Sequence, residues 1–456
     1  MMTESERPLS PAERWFWLID QLSPANSVVR VRVHGPIGPY RLEDAADALV
    51  AQFPLLRAVV VDGPVLTRSL DPHLPVLHRI AERPDEWRTL FDEELATPVD
   101  LATAPGRLID LVWRPGTADE HHDLILTLSH VLLDGRSVAT LGMGLLALAL
   151  ATPAPSVSDL TSERALDTRA DSVMDQLDIT GSTSAPCGDV SRPPVPPADD
   201  LIPRAQARFL RAMWVSAASQ LTAFVRRTKR LPGTLPPMGI RRTRTVIRTV
   251  DPIDTAALRA KARRANVTVN AALAGALAHA VGDIAAPRGV GIAGIGIPID
   301  LRPRLTPPVA FDEPGMYTAV VPAFIPFGRT RSLWQSARWA KRELAHRLSR
   351  KHDLTALAAI RYGCPSGMDR ARIDFIDRRA PCNVTLSNLG PIPNPVAPDR
   401  VSSLIAAGTN PCASALTVVA ATMNNRMTLT FCYVETMLTR GEIESLADHM
   451  IRALTR

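Results

Sequence analysis

Between Thr152 and Pro203 the sequence loses every regular hydrophobic period. Ser, Thr and Asp alternate there with prolines, Pro193, Pro194, Pro196 and Pro197 among them, and no helix or strand of useful length runs through such a stretch. This break constrains the fold more than any other feature. It divides the 456 residues into a first segment, 1–151, a connector, 152–204, and a second segment, 205–456. Each flanking segment is long enough to bury a core of its own. Two lobes are the expectation.

The first lobe alternates two periods. Leu9 to Leu22 carries Trp15, Phe16, Leu18, Ile19 and Leu22 at helical spacing, opened by Ser10 and Pro11 with Glu13 placed for a capping box. Ser27 to His34 then sets Val29, Val31 and Val33 against Arg30, Arg32 and His34, the pattern of a half-buried strand. A helix over Leu42 to Phe53 and a strand over Leu56 to Val61 follow. Asp85 to Leu95 reads as a helix, and Arg107 to Trp113 and His122 to Leu128 as two strands of a hairpin joined by the polar turn 115–120. The apolar run Val138 to Ala151 is too short for the ~20 residues that cross a bilayer and ends at Pro153, so a buried helix over 136–150 is expected.

The second lobe reads as strand 244–250, helices 255–266 and 268–281, strand 289–299, an extended segment 316–325 and a long helix 330–349. Strands 382–386, 416–423 and 427–433 and a final helix 439–454 complete it. Both lobes mix helices with strands, so the fold class is α/β (α+β), without a repeat at solenoid spacing.

The formal charge of +6 is carried almost wholly by arginine, since only Lys229, Lys261, Lys341 and Lys351 are lysines; this usage fits a GC-rich bacterial genome. Such an excess is too weak to indicate nucleic acid and suits steering of an acidic partner. Cys187, Cys364, Cys382, Cys412 and Cys432 are odd in number and scattered, without CxxC spacing, as expected of reduced thiols in a cytoplasmic protein. Glu4, Glu6 and Arg7 precede any apolar stretch, which is not the order of a secretory signal. No phosphate loop, GxSxG elbow or metal-ligand spacing is found, so no metal and no bound cofactor are expected.

The richest stretch for chemistry is Leu126-Thr127-Leu128-Ser129-His130-Val131-Leu132-Leu133-Asp134-Gly135-Arg136-Ser137. A histidine at the end of an apolar strand can take and return a proton near neutral pH. A carboxylate four residues on can hold the loop by pairing with a cation, and Gly135 is expected to permit a tight strand-to-helix turn. His121 and His122 stand at the start of the same strand, where an exposed turn position is the plain reading.

This stretch resembles the HHxxxDG signature of the condensation-domain superfamily, which includes nonribosomal peptide condensation domains, mycobacterial polyketide-associated acyltransferases and wax ester synthases. The resemblance extends along the chain. Leu9 to Trp15 is similar to the family's opening helix, Phe53-Pro54-Leu55-Leu56-Arg57 to its "RHPxLR" segment and Thr97-Pro98-Val99-Asp100-Leu101 to its "PFDL". Ile297-Pro298-Ile299-Asp300-Leu301-Arg302-Pro303-Arg304 is similar to its "PVDLRPR", and Thr385-Leu386-Ser387-Asn388-Leu389-Gly390 to its "SNLG". The first histidine of the signature is Ser129 here, while His130 matches the second, the one thought to act. The DFGWG segment of plant-type coenzyme A acyltransferases is absent, which favours a bacterial secondary-metabolite or lipid branch.

The resemblance implies two chloramphenicol acetyltransferase-like subdomains meeting in a V around a tunnel. It implies an acyltransferase in which His130 serves as general base and Asp134 and Gly135 belong to the catalytic loop. Asp134 is expected to turn away from the tunnel and pair with Arg302, while Ser129, Ser387 and Asn388 line it. The N–H of Gly135, or donors near Asn388, are candidates for holding the oxyanion. The donor is a thioester on coenzyme A or on a phosphopantetheinyl carrier protein supplied in trans, and the acceptor a small molecule bearing a hydroxyl or amine. The chain is expected to act as a monomer without integral membrane segments. The alternative is a condensation-like module that has lost its chemistry, as Ser129 suggests, and serves in docking or recruitment. Two basic clusters, 226–230 and 241–244, can meet phosphates of the donor, with solvated charge as their plainer role.

Overall fold

The computed structural model describes residues 6–38, 40–61, 63–115, 120–151, 195–287, 289–365 and 368–455. The turn residues 116–119 and the greater part of the connector, 152–194 with Cys187, lie outside the described residues. The four described cysteines are unpaired.

The expected alternation of elements is present in the first lobe. Ser10 accepts from the Glu13 N–H and Glu13 returns to the Ser10 backbone, so a capping box opens α1 (Pro11–Asp20) after the two-residue strand β1 (Arg7–Pro8). Then come β2 (Asn26–His34), α2 (Arg41–Gln52), β3 (Ala58–Val61), β4 (Val65–Arg68), β5 (Val76–Ile80), α3 (Trp87–Ala96), β6 (Gly106–Trp113), β7 (His121–Ser129) and α4 (Gly135–Leu150). β6 and β7 pair antiparallel, as the hairpin reading requires. β2 departs from expectation: it is covered on both faces. Its arginine face lies under α3, where Arg30, 2% exposed, pairs with Asp123 and stacks 4.1 Å over Trp87. On α4 the buried face includes Gly142, where an added Cβ would stand 2.9 Å from Val29, so helix and sheet touch backbone to side chain.

The second lobe comprises α5 (Phe209–Val225), β8 (Thr243–Val250), α6 (Pro252–Arg264), α7 (Val269–Ala285), β9 (Val290–Asp300) and β10 (Thr318–Gly328). These are followed by α8 (Leu333–Ser349), α9 (His352–Gly363), α10 (Arg370–Arg379), β11 (Val384–Pro391), β12 (Val401–Gly408), β13 (Leu416–Met423), β14 (Arg426–Val434) and α11 (Arg440–Thr455). One sheet runs β10-β9-β11-β13-β14-β8, with α7 and α8 packed on it. The other runs β12-β2-β7-β6-β5, and a small sheet joins β1, β4 and β3.

β12 therefore leaves the sheet of its neighbours in sequence and pairs antiparallel with β2 of the first lobe, Leu404 opposite Val31 and Ala406 opposite Val29. The first hydrophobic core is accordingly built from both segments. Leu389, Val401, Leu404 and Met423 pack with Val29, Leu126 and Leu141. β1, β4, β5, α5, α9, α10 and β12 were not among the sequence-based elements.

Candidate active site

The loop that carries His130 is pinned from its own sequence. Val131, Leu132 and Leu133 are each 0% exposed, and three successive apolar anchors leave the short segment little freedom. The Ser129 carbonyl accepts from the Leu132 and Leu133 N–H groups, and the His130 N–H donates to the Ala25 carbonyl at 2.7 Å. Ser129 is itself sealed, and its hydroxyl accepts from the Val131 N–H. It is the last residue of β7 and is wholly buried, where a place on the tunnel wall was expected.

The His130 ring stacks on Phe16 of α1, centroids 4.6 Å apart and planes at 25°. His130 is only partly buried as a residue, but its Nδ1 is sealed without a hydrogen-bond partner. Burial lowers its pKa below the ordinary histidine value, against the opposing pull of the Asp134 charge and of the Leu133 and His130 carbonyls. Burial thus favours the neutral ring, the form that can accept a proton.

Asp134 ends the loop as N-cap of α4, accepting from the Ser137 N–H at 2.8 Å. Across the lobes Arg302 donates from Nη1 to Asp134 at 3.0 Å and from Nη2 to the Ser137 hydroxyl at 2.8 Å. Tyr317 N–H donates to Asp134 at 3.1 Å, and Asp134 N–H to the Gly315 carbonyl at 3.0 Å. Asp134 and Arg302 are each 1% exposed. Burial alone would raise the carboxyl, but Arg302 and the Ser137 donors hold it below the usual carboxylate range. The expected ion pair is present, and Asp134 is sealed by it together with the Ser137 and Tyr317 hydrogen bonds.

Gly135, the first residue of α4, needs no special backbone. Its φ is not positive, and an added Cβ would meet only Leu389 at an ordinary 3.5 Å. The reason expected for this glycine is therefore corrected. What lies beside it is the irregular part of β11, where the register shifts between Asn388 and Gly390, Gly390 takes φ +74, and its N–H donates to the Asn388 side chain. Ser387 and Asn388 are partly exposed there. Arg136 ties the two together, donating to the Leu389 carbonyl at 2.9 Å, lying 3.4 Å from Asp300 and stacking 4.0 Å over Phe311.

Phe16, Arg136 and Ser137 escaped sequence reasoning as site residues. Arg136 left a signal, because a cation in the first turn opposes the helix dipole and calls for a tertiary partner. His121 and His122 are buried, 8% and 3% exposed, where exposure was expected. His122 is bonded to Asp110 at 2.8 Å and lies 3.2 Å from Glu120. Both stand some eight residues from His130 along β7, about 25 Å away at the rise of a strand. The second basic cluster is dispersed, with Arg241 buried on Asp377 and Arg244 paired with Glu435. Cavities of about 250 and 200 Å³ lie elsewhere, the first beside Arg41 and Val396, the second beside Val215 and His352.

Two mixed sheets joined by a buried cross-lobe ion pair behind a loop histidine give the fold of condensation domains, with chloramphenicol acetyltransferase-like subdomains. Residues 241–438 match the family described as phthiocerol/phthiodiolone dimycocerosyl transferase C-terminus. The condensation domain of the monacolin K polyketide synthase is similar with a TM-score of 0.66 and 13% identity, over 99% of this chain and 97% of that one. Polyketide synthase associated protein 5 from Mycobacterium tuberculosis is similar with a TM-score of 0.62 and 15% identity, over 100% of each. The starter condensation domain of rhizomide synthetase, solved with C8-CoA, is similar with a TM-score of 0.60 and 14% identity, over 99% of this chain and 94% of that one. No curated protein sequence matches the chain.

Proposed function

We propose that the protein transfers an acyl group from a thioester to the hydroxyl or amine of a small acceptor, forming an ester or amide in a bacterial secondary-metabolite or lipid pathway, with His130 as general base. The observation that carries this reading is the placing of the ring: stacked on Phe16 and fixed by a loop that Asp134 and Arg302 lock from behind. The match of residues 241–438 to an acyl-transferring family supports it.

Nε2 of His130 takes the proton as the acceptor oxygen or nitrogen bonds to the thioester carbonyl carbon. The resulting oxyanion meets the N–H groups at the start of α4, where Gly135 has no acceptor within the helix, or the side-chain amide of Asn388. Collapse breaks the C–S bond, and the thiolate leaves with the proton returned by His130. The donor is an acyl-coenzyme A or a carrier protein acting in trans; the rhizomide domain solved with C8-CoA supports the first, and the nonribosomal condensation folds support the second. The chain acts as a monomer in the cytoplasm, since one chain supplies both sides of the site.

Incubation with acyl-coenzyme A and acyl-carrier donors and a panel of acceptors, followed by mass spectrometry, tests the reading. Thioester consumption should fall by about 100-fold or more in His130→Ala. Unchanged turnover in that variant removes His130 from the mechanism, and a folded wild-type chain inert on every donor returns the docking-module alternative.

A further inference from the structure

We propose that α5 is an interfacial anchor that seats the protein on an anionic lipid bilayer, a role independent of the acyl-transfer reading. The helix is amphipathic in the inverted sense. Its buried side is small, with Ala212, Val215 and Ser219, and packs toward α9. Its outward side is large and apolar: Phe209, Leu210, Met213, Trp214, Leu221, Phe224 and Val225 are between 47% and 82% exposed. At 100° per residue these seven fall within one half of the helix surface. They expose on the order of 800 Å², beyond the few hundred Å² that monomers commonly leave uncovered.

The charge around this face selects its occupant. No Asp or Glu occurs between Asp200 and Asp251, while Arg204, Arg208, Arg226 and Arg227 are exposed at the two ends of the helix. The Gln220 side chain reaches the Arg379 carbonyl, and the Arg211 side chain reaches the Arg350 carbonyl. Exposed Arg378, Arg379, Arg350 and Lys351 therefore flank the helix on both sides. An apolar face with tryptophan and phenylalanine, rimmed by cations and with no carboxylate on the helix itself, matches the boundary between acyl chains and negative headgroups. A second copy of the chain fits worse, because α5 against α5 in either direction sets arginines against arginines. The helix lies on the surface and does not cross: no single described helix is long and apolar enough to span a membrane.

Flotation of the full chain with vesicles of phosphatidylcholine alone, and of phosphatidylcholine mixed with phosphatidylglycerol, tests this. The wild type should float with the mixed vesicles and be released by salt. Leu210→Ser with Phe224→Ser should lower partitioning at least about 30-fold. Arg226→Gln with Arg227→Gln should lower it by about 10-fold or more, on mixed vesicles only. Far-ultraviolet circular dichroism and melting temperature identify a variant that fails by unfolding; Trp214→Ser is then the replacement. Absence of flotation, equal flotation on both vesicles, or a dimer or carrier complex that the serine pair abolishes while vesicles stay unbound overturns the proposal.

Discussion

Arg302 spends both ends of its guanidinium across the lobe boundary, on Asp134 and the Ser137 hydroxyl, while its Nε and Nη2 also donate to the Glu313 carbonyl at 3.0 Å. Truncating it leaves a sealed carboxylate with no cation. Arg302→Ala should cost about 3–5 kcal/mol in urea denaturation and lower turnover as well. Arg302→Lys keeps the charge but loses the fork, so it should recover only part of both. His130 supplies a pH signature of its own. Its pKa is lower folded than unfolded, so below the ordinary value of about 6.5 the unfolded chain binds the proton first and stability falls with pH until the folded value is passed. His130→Phe should flatten the limb that begins just below pH 6.5 in stability curves measured as a function of pH, while Asp134→Asn should act only lower, in the carboxylate range where the depressed Asp134 pKa contributes. The pairing of Asp134 with Arg302 behind His130 was legible in the sequence because each residue stands in a recognisable segment. Phe16 was not, since a phenylalanine on a helix's apolar side gives no sign of which ring it will cover.

Helices and strands whose apolar residues face one core in one period were readable from the chain, as α1, β7, α4, α7 and β13 show. The elements that were missed depart from that rule for separate physical reasons. α5 turns its large side chains outward, so its pattern carries no inward stripe. β12, with Ser402, Ser403, Ala406 and Ala407, is composed of small residues and owes its place to pairing with a strand some 370 positions earlier. α10 holds four arginines among its residues and buries only Ile373 and Asp377. β2 was read correctly as a strand but with the wrong exposure, because a helix laid over its arginine face cannot be foreseen from alternation alone. The contact between α4 and β2 is tight enough to test: Gly142→Val should lower the melting temperature, at a cost of about 1–3 kcal/mol, through collision with Val29.

At the scale of the whole molecule, the two lobes share more than a boundary. The first core takes side chains from β12, β13 and β14, and the ion pair at the head of α4 takes its cation from the other lobe. Heating should therefore give one cooperative transition, with calorimetric and van't Hoff enthalpies in agreement, where independent lobes would give two. Leu404→Ala, though it lies in the second segment, should destabilise the first by about 2–5 kcal/mol, seen as lost hydrogen-exchange protection in β2 and β7. The strand order also limits how such proteins can be recombined. A hybrid made by joining the front of one homologue to the back of another at the linker inherits a foreign strand at the rim of its first sheet. To keep that seam native, the exchange must carry residues 401–408 along with the front half, as a third piece grafted into the rear of the gene.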